Sequence, residues 1–160
     1  MSILLKMRWY NTMKTVSLEM NVEQAQVICS ALDLYNRISL GQFEELESLI
    51  RHRLISKFGS EKTYPDFEEM DKIRNHIYDI KRIMGFHPHG SYGIGNPNVH
   101  ISNSRSYEML KTIQKVLAED RNPNPDFRTV DYDGVLVRYT QDQLPTCVII
   151  NETEENNDGC

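Results

Sequence analysis

Apolar residues recur at the three- and four-residue spacing of an amphipathic helix in four segments of the chain. Asn21 is a good N-cap for the first segment, and Gln24 stands at the matching capping-box position. Asn-Pro-Asn-Pro is a strong stop after the last segment. The predicted helices run from residue 21 to about 38, from about 40 to 57, from after 65 to about 84, and from 102–104 to the stop at 122–125.

Alternating or wholly apolar runs predict strands near both ends of the chain. They cover Thr15–Met20, Thr129–Tyr132, Val135–Thr140 and Thr146–Ile150, and Asp133-Gly134 is a plausible hairpin turn between the second and third. The expected fold class is therefore α+β, with about four helices packed on a small, mostly antiparallel sheet.

The apolar faces of two helices carry further expectations. The core-facing stripe of the first helix is predicted to be Ile28, Ala31, Leu32 and Tyr35. In the third helix an a/d-like seam is formed by Met70, Ile73, Ile77, Ile80 and Met84. This seam can pack within the chain or against a second copy, so a homo-oligomer is predicted.

Length and charge limit the domain count and the partners. The 160 residues are enough for one domain over 15–151, preceded by an extension at 1–14 and followed by an acidic tail at 152–160 that is expected to be disordered. The net charge is −5, and most of it lies in that tail. Duplex nucleic acid is not an expected partner, because its recognition needs a basic surface.

Cysteine use and hydropathy indicate the compartment. Cys29 and Cys147 lie in apolar runs and Cys160 lies near the end, without CxxC spacing. No apolar run reaches the roughly 18–20 residues that span a bilayer. These features predict a cytoplasmic protein without a membrane partner.

The loop over 85–105 concentrates the residues that could carry chemistry. It holds three of the five histidines together with glycines, aromatics and cap-forming residues, between two helical segments. No catalytic signature is present, and neither a cofactor nor a metal is the expected partner. The predicted ligand-binding residues are Phe86, His87, His89, Tyr92, Gly93, Gly95, Ser102, Ser104, Arg105 and Arg138.

Each residue type has a role in binding a small phosphorylated nucleotide. Phe86 and Tyr92 offer faces on which a base can stack. Arg105, the amides near Gly93 and the helix start can hold phosphate. The two loop histidines can add hydrogen bonds. Simpler interpretations remain open, because Phe86 can anchor the loop, the histidines can cap it, and Arg138 can be an exposed charge.

A metal site is an alternative for the same loop. His87 and His89 are two residues apart, and His100 could return to the same ion. No cysteine or carboxylate lies in the loop to complete the ligand set. This alternative would make the chain a metal-dependent phosphodiesterase.

Two strings resemble small accessory proteins of tailed bacteriophages. They are ALDLYNRISLGQFEE at 31–45, and GIGNPNVH at 93–100 with the following SYEMLK. The resemblance covers about 31–120 and implies a role in the host bacterial cytoplasm. By analogy with anti-CBASS and anti-Thoeris sponges, it implies a non-catalytic protein that sequesters a cyclic nucleotide immune signal. A phage protein that binds and inhibits a host protein is the other alternative.

Overall fold

Four α-helices form the framework of the protein in the computed structural model, which describes residues 16–59 and 64–150. Helix α1 covers Val22–Ser39, α2 covers Glu44–Arg51, α3 covers Phe67–Ile83 and α4 covers Ile101–Arg121. The four predicted helices are confirmed. α2 is much shorter than expected, because the chain turns at Gly41 before it and at Arg53 after it, both with positive φ.

Local side-chain chemistry explains where the helices begin. Asn21 accepts a hydrogen bond from the Gln24 amide while the Gln24 side chain accepts one from the Asn21 amide, so the predicted capping box is present. Asp66 and Glu69 form the same box at the start of α3. α4 begins one residue earlier than predicted, with His100 as its N-cap.

α1 and α4 make the main helix pair. The face of α1 that is turned inward differs from the predicted stripe, because Tyr35 is exposed, whereas Ala25, Asn36 and Leu40 are buried. The buried residues of α4 include polar side chains as well as Leu110 and Ala118. The core therefore contains amides and hydroxyls that must find hydrogen-bond partners.

Ion pairs join α2 to α3. The buried Glu47 carboxylate accepts hydrogen bonds from Arg74 of α3 at 2.8 and 3.2 Å and also pairs with Arg51. These arginine contacts hold the pKa of Glu47 below its usual value against the opposing effect of burial. Lys81, only 1% exposed, donates to Glu44 at 2.5 Å. The predicted seam of α3 is buried at Ile77 but exposed towards its C-terminal end.

The expected sheet is wrong, since no strand occurs in residues 16–59 and 64–150. Of the predicted strand at 15–20, residue 15 lies outside the described residues, and 16–20 are extended but exposed, with Val16 at 90%. Segment 129–132 forms a turn, 135–140 contains only a bend, and 146–150 is irregular. An apolar pattern is not enough for a strand, which also requires hydrogen bonds to a neighbouring strand, and none of these segments forms such a ladder with the described part of the chain. The α+β class is therefore replaced by an all-α framework with long irregular segments.

The segment after α4 is held by side chains of α4. The Glu108 carboxylate, on a residue that is 2% exposed, accepts hydrogen bonds from the Tyr139 and Thr140 amides at 2.9 and 3.0 Å. It also accepts from the Thr140 hydroxyl at 2.7 Å. Lys111 donates to the Val130 carbonyl. We call residues 129–142 the C-terminal strap.

The ends predicted to lie outside the domain, 1–14 and 152–160, are not among the described residues, and neither is Cys160. None of the helices in the described part of the chain combines the length and the apolar character needed to cross a membrane.

Candidate functional site: a cleft between α1 and α4

An open cleft of about 540 Å³ is the candidate site. It lies between the C-terminal half of α1 and the middle of α4, with the 92–94 loop and the start of the C-terminal strap at its edges. This volume is within the usual range of small-molecule sites. The lining residues are Asp33, Asn36, Arg37, Leu40, Gln42, Tyr92, Gly93, Ile94, Tyr107, Leu110, Lys111, Gln114, Val130 and Asp131.

Two amide side chains that line the cleft have buried polar atoms without a hydrogen-bond partner among the described residues. Both amide atoms of Asn36 are in this state, and the residue is only 6% exposed. The Gln114 Oε1 atom is the second case. A buried amide that lacks a partner costs about 1–3 kcal/mol. These atoms have almost no accessible surface, and Asn103 Oδ1 is in the same state although Asn103 does not line the cleft. The unpaired amides therefore belong to the interior beside the cleft.

The charges of the lining are balanced. Arg37 pairs with Asp33 at 2.7 Å and with Glu45 at 2.9 Å, and the hydrogen bond to Asp33 is the main reason that its pKa is raised. Lys111 and Asp131 form no ion pair within residues 16–59 and 64–150, although Lys111 contacts the Val130 carbonyl at 3.3 Å. The cleft therefore presents one cation and one carboxylate that remain open to a ligand.

Tyrosines form the aromatic part of the cleft. Tyr92 is fixed by its amide, which donates to the Leu40 carbonyl at 2.8 Å, and by an edge contact with Phe86 at 5.0 Å between ring centroids. Phe86 itself packs on Gly41, whose missing side chain leaves room for the ring. Burial, and secondarily the nearby Tyr139, raise the pKa of Tyr107. Tyr107 is therefore a neutral hydrogen-bonding and packing group at neutral pH.

The predicted site residues are divided between several places. Tyr92 and Gly93 line the large cleft. Gly95 and Ser104 line a second, smaller cavity of about 230 Å³, in which Tyr139 lies close above Gly95. Phe86 anchors the loop by packing on Gly41 and Tyr92, which is the simpler of the two roles that the sequence left open for it.

The two predicted arginines do come together, but at Asp142 of the same chain. Arg105 Nε donates to Asp142 at 2.5 Å, and Arg138 donates to the Asp142 backbone carbonyl. The hydrogen bond and charge of Arg105 lower the pKa of Asp142. Neither arginine lines the cleft.

The loop histidines have separate environments. His89 makes an edge contact with Tyr78 at 5.7 Å, and the His87 backbone carbonyl accepts the Gly90 amide in a turn. His100 Nδ1 is 2.7 Å from the hydroxyl of Ser102, which also bonds Tyr35 at 2.6 Å. No group of three histidines, cysteines or carboxylates in the described part of the chain is arranged to hold a metal ion.

Sequence reasoning missed the residues of the helices that line the cleft: Asn36, Lys111 and Gln114. A signal for Asn36 was present, because it interrupts the spacing of Ala25, Cys29, Leu32 and Leu40. A polar residue at such a position is either paired across the interface or exposed to a cavity. The sequence does not distinguish these two outcomes.

Comparisons of the chain with protein-family models, with curated proteins and with solved structures find no match.

Proposed function

We propose that this chain is a non-catalytic binding protein that sequesters a small nucleotide, with a base seated in the cleft between α1 and α4. The observation that carries this proposal is the open cleft of about 540 Å³, whose lining combines Tyr92 and Tyr107 with Lys111. A nucleotide joins a planar base to an anionic phosphate, and aromatic and cationic side chains are the groups that match these two parts.

The rest of the lining supports a planar polar ligand. Tyr92 and Tyr107 supply aromatic surface, and Gly93 lets the ligand approach the backbone closely. Stacking of a base on an aromatic ring contributes roughly 1–3 kcal/mol.

Phosphate has a single candidate contact at the cleft. Lys111 is the lining cation without a carboxylate partner in the described part of the chain, and its ammonium group can bind a phosphate oxygen. Because Asp131 and Asp33 balance the positive charge, base recognition contributes more to affinity here than a general positive field. This differs from the predicted phosphate grip by Arg105 and Arg138.

The resemblance to phage accessory proteins determines which nucleotides are tested first. A phage protein that binds a cyclic nucleotide immune signal lowers its free concentration and so blunts the host response. Sequestration of this kind requires tight, stoichiometric binding and return of the ligand unchanged.

The test is a thermal-shift screen of the purified full chain against cyclic dinucleotides, cyclic trinucleotides and cyclic ADP-ribose isomers. A bound ligand at 100–1,000 times Kd stabilises a protein by about 3–4 kcal/mol, which gives a clear shift. The bound ligand is then released and chromatographed. A shift with intact ligand supports sequestration. Recovery of cleaved ligand would refute it in favour of a hydrolase, and no shift with any compound would refute nucleotide binding.

Variants locate the binding site. Lys111→Ala should weaken nucleotide binding, whereas Lys72→Ala should not, because Lys72 lies on an exposed face of α3 and pairs only with Glu68. Arg105→Ala tests whether the ligand binds at the loop site predicted from the sequence, which includes Arg105, instead of in the cleft. If Arg105→Ala weakens binding and Lys111→Ala does not, the ligand does not occupy the cleft.

A further inference from the structure

A smaller cavity of about 230 Å³ adjoins the cleft, and Ile94 belongs to the lining of both. Its walls come from the loop over 94–99, from the first turn of α4, and from Tyr139 of the C-terminal strap. Tyr139 is held in place through its backbone, because its amide donates to the buried Glu108 carboxylate at 2.9 Å. The strap therefore completes this cavity.

The walls of the small cavity are mainly apolar, and no charged side chain from the described part of the chain lines it. Its aliphatic side chains are those of Ile94, Pro97, Val99 and Ile101. The Tyr139 ring lies so close to Gly95 that a methyl group on this glycine would be 3.1 Å from a ring carbon. Without a cation in its lining, the cavity does not suit a phosphate. Its ligand therefore differs in class from the nucleotide proposed for the cleft.

The Ser104 hydroxyl is a polar group of the lining whose hydrogen-bonding capacity is unused. The residue is only 7% exposed, and its hydroxyl has no hydrogen-bond partner within residues 16–59 and 64–150. Unlike the unpaired amide atoms of Asn36 and Gln114, the Ser104 oxygen is not fully enclosed, so a molecule in the cavity can reach it. Because buried hydroxyls are nearly always hydrogen-bonded, a ligand with a donor or acceptor here would complete the site.

The size of the cavity suits a single aromatic ring. An apolar cavity of about 150 Å³ holds benzene, so 230 Å³ leaves room for a ring with a small substituent. We propose that the small cavity is a second binding site, which takes one neutral phenolic ring. The ring packs against the aliphatic walls and Tyr139, and its hydroxyl bonds the Ser104 hydroxyl. The ring can belong to a free phenol or to a tyrosine side chain of a peptide. This inference is independent of nucleotide binding in the cleft.

Heteronuclear NMR of the isotope-labelled full chain tests the site, with p-cresol as the probe and toluene as its counterpart without a hydroxyl. p-Cresol should bind with a dissociation constant of about 0.1–1 mM, a range that ligand efficiency allows for so small a molecule. It should shift the amide signals of Gly95 and Ser104. Ser104→Ala should weaken p-cresol binding by about three- to tenfold and leave toluene binding unchanged, because it removes only the partner of the ligand hydroxyl.

Two further variants separate binding from folding. Ser106→Ala is the matched control, because Ser106 is also buried on α4 but donates to the Leu32 carbonyl and lines neither cavity. It should bind p-cresol like the wild type. Tyr139→Ala should weaken both probes by about tenfold or more, since it removes the ring wall. It keeps the backbone amide that Glu108 binds, and thermal melting confirms that each variant is folded.

N-acetyltyrosine amide distinguishes the two sources of the ring. Binding as tight as that of p-cresol supports a tyrosine side chain of a peptide, whereas much weaker binding supports a free phenol, because the backbone groups then find no room. The inference is overturned if p-cresol shifts neither the Gly95 nor the Ser104 signal. It is also overturned if Ser104→Ala weakens p-cresol binding no more than it weakens toluene binding, or if Tyr139→Ala binds both probes like the wild type.

Discussion

Replacement of Glu108 by glutamine should loosen the C-terminal strap from α4. The carboxylate accepts three hydrogen bonds, at 2.9 Å from the Tyr139 amide and at 3.0 and 2.7 Å from the amide and hydroxyl of Thr140. A glutamine side chain has nearly the same shape, so its carbonyl oxygen can still accept from both amides. The change therefore removes the charge and reverses one hydrogen bond, while the packing stays the same.

The expected loss follows from the strength of charged hydrogen bonds. Each one contributes about 1.5–3 kcal/mol, compared with about 0.5–1.5 kcal/mol for a neutral bond. Over the three contacts of Glu108 the difference is about 3–4.5 kcal/mol. This is a large share of the roughly 5–15 kcal/mol that stabilises an ordinary domain.

The pH dependence has a definite sign. Burial opposes ionisation of Glu108, but the hydrogen bonds from Thr140 and Tyr139 outweigh it and hold the pKa below its ordinary value of 4.5. The stabilisation is complete above that ordinary value and is lost as the pH falls through the lowered pKa of the folded state. The glutamine variant should therefore approach the wild type in stability on acidification.

Urea denaturation followed by circular dichroism at several pH values measures the free energy of unfolding, and hydrogen exchange at the Tyr139 and Thr140 amides reports detachment of the strap. Glu119→Gln is the matched control on the same helix, because Glu119 makes only a half-exposed pair with Lys115 at 3.8 Å and should change stability by less than about 0.5 kcal/mol. The reasoning fails if Glu108→Gln is as stable as Glu119→Gln at neutral pH, or if its deficit persists unchanged in acid.

Two further substitutions test the packing beneath the cleft and the α2–α3 contact. Gly41→Ala should destabilise by about 2–4 kcal/mol in thermal melts, because its φ is positive and its new methyl group would lie 2.7 Å from Phe86. Gly85→Ala has a similar φ but open space, so an equal loss there would contradict the packing argument. Glu47→Gln should cost about 1–2 kcal/mol in urea denaturation at neutral pH, since it removes the carboxylate that Arg51 and Arg74 share, while Arg74 keeps its pair with Asp71. Glu68→Gln is the exposed control and should leave the free energy of unfolding nearly unchanged. Equal losses of stability in the Glu47 and Glu68 variants would count against an inter-helix role for Glu47.

The boundaries of α1, α3 and α4 were predictable because their signals are local, whereas α2 was predicted too long. The capping boxes at Asn21 and Asp66 depend on residues within one turn, and the stop after Arg121 depends on the adjacent Asn-Pro sequence. The absence of strands was not predictable, because Val16 and its neighbours alternate correctly but form no strand ladder with the described residues. Strand formation depends on distant segments, which local pattern does not include.

The candidate site was predictable in part for the same reason. Tyr92 and Gly93 stand in a loop whose composition drew attention, and they do line the cleft. Arg105 has the right chemistry for phosphate, but Asp142, thirty-seven residues away, occupies its guanidinium group. Asn36 and Gln114 lie within helices, where an amide is usually read as a solvent-facing residue.

The buried polar groups of this protein are of two kinds, which differ in their hydrogen bonds. Glu108, Glu47 and Lys81 are buried and hydrogen-bonded, and each joins two segments of the fold. Asn36 is equally buried, yet its side-chain amide has no partner in the described residues and carries the cost of desolvation. The Oδ1 atom of Asn103 is in the same state, although the Nδ2 atom of that residue donates to the Asn36 carbonyl. Leucine at position 36 would avoid the cost of the unpaired amide, so the α1–α4 interface is less stable than an apolar interface of the same shape would be.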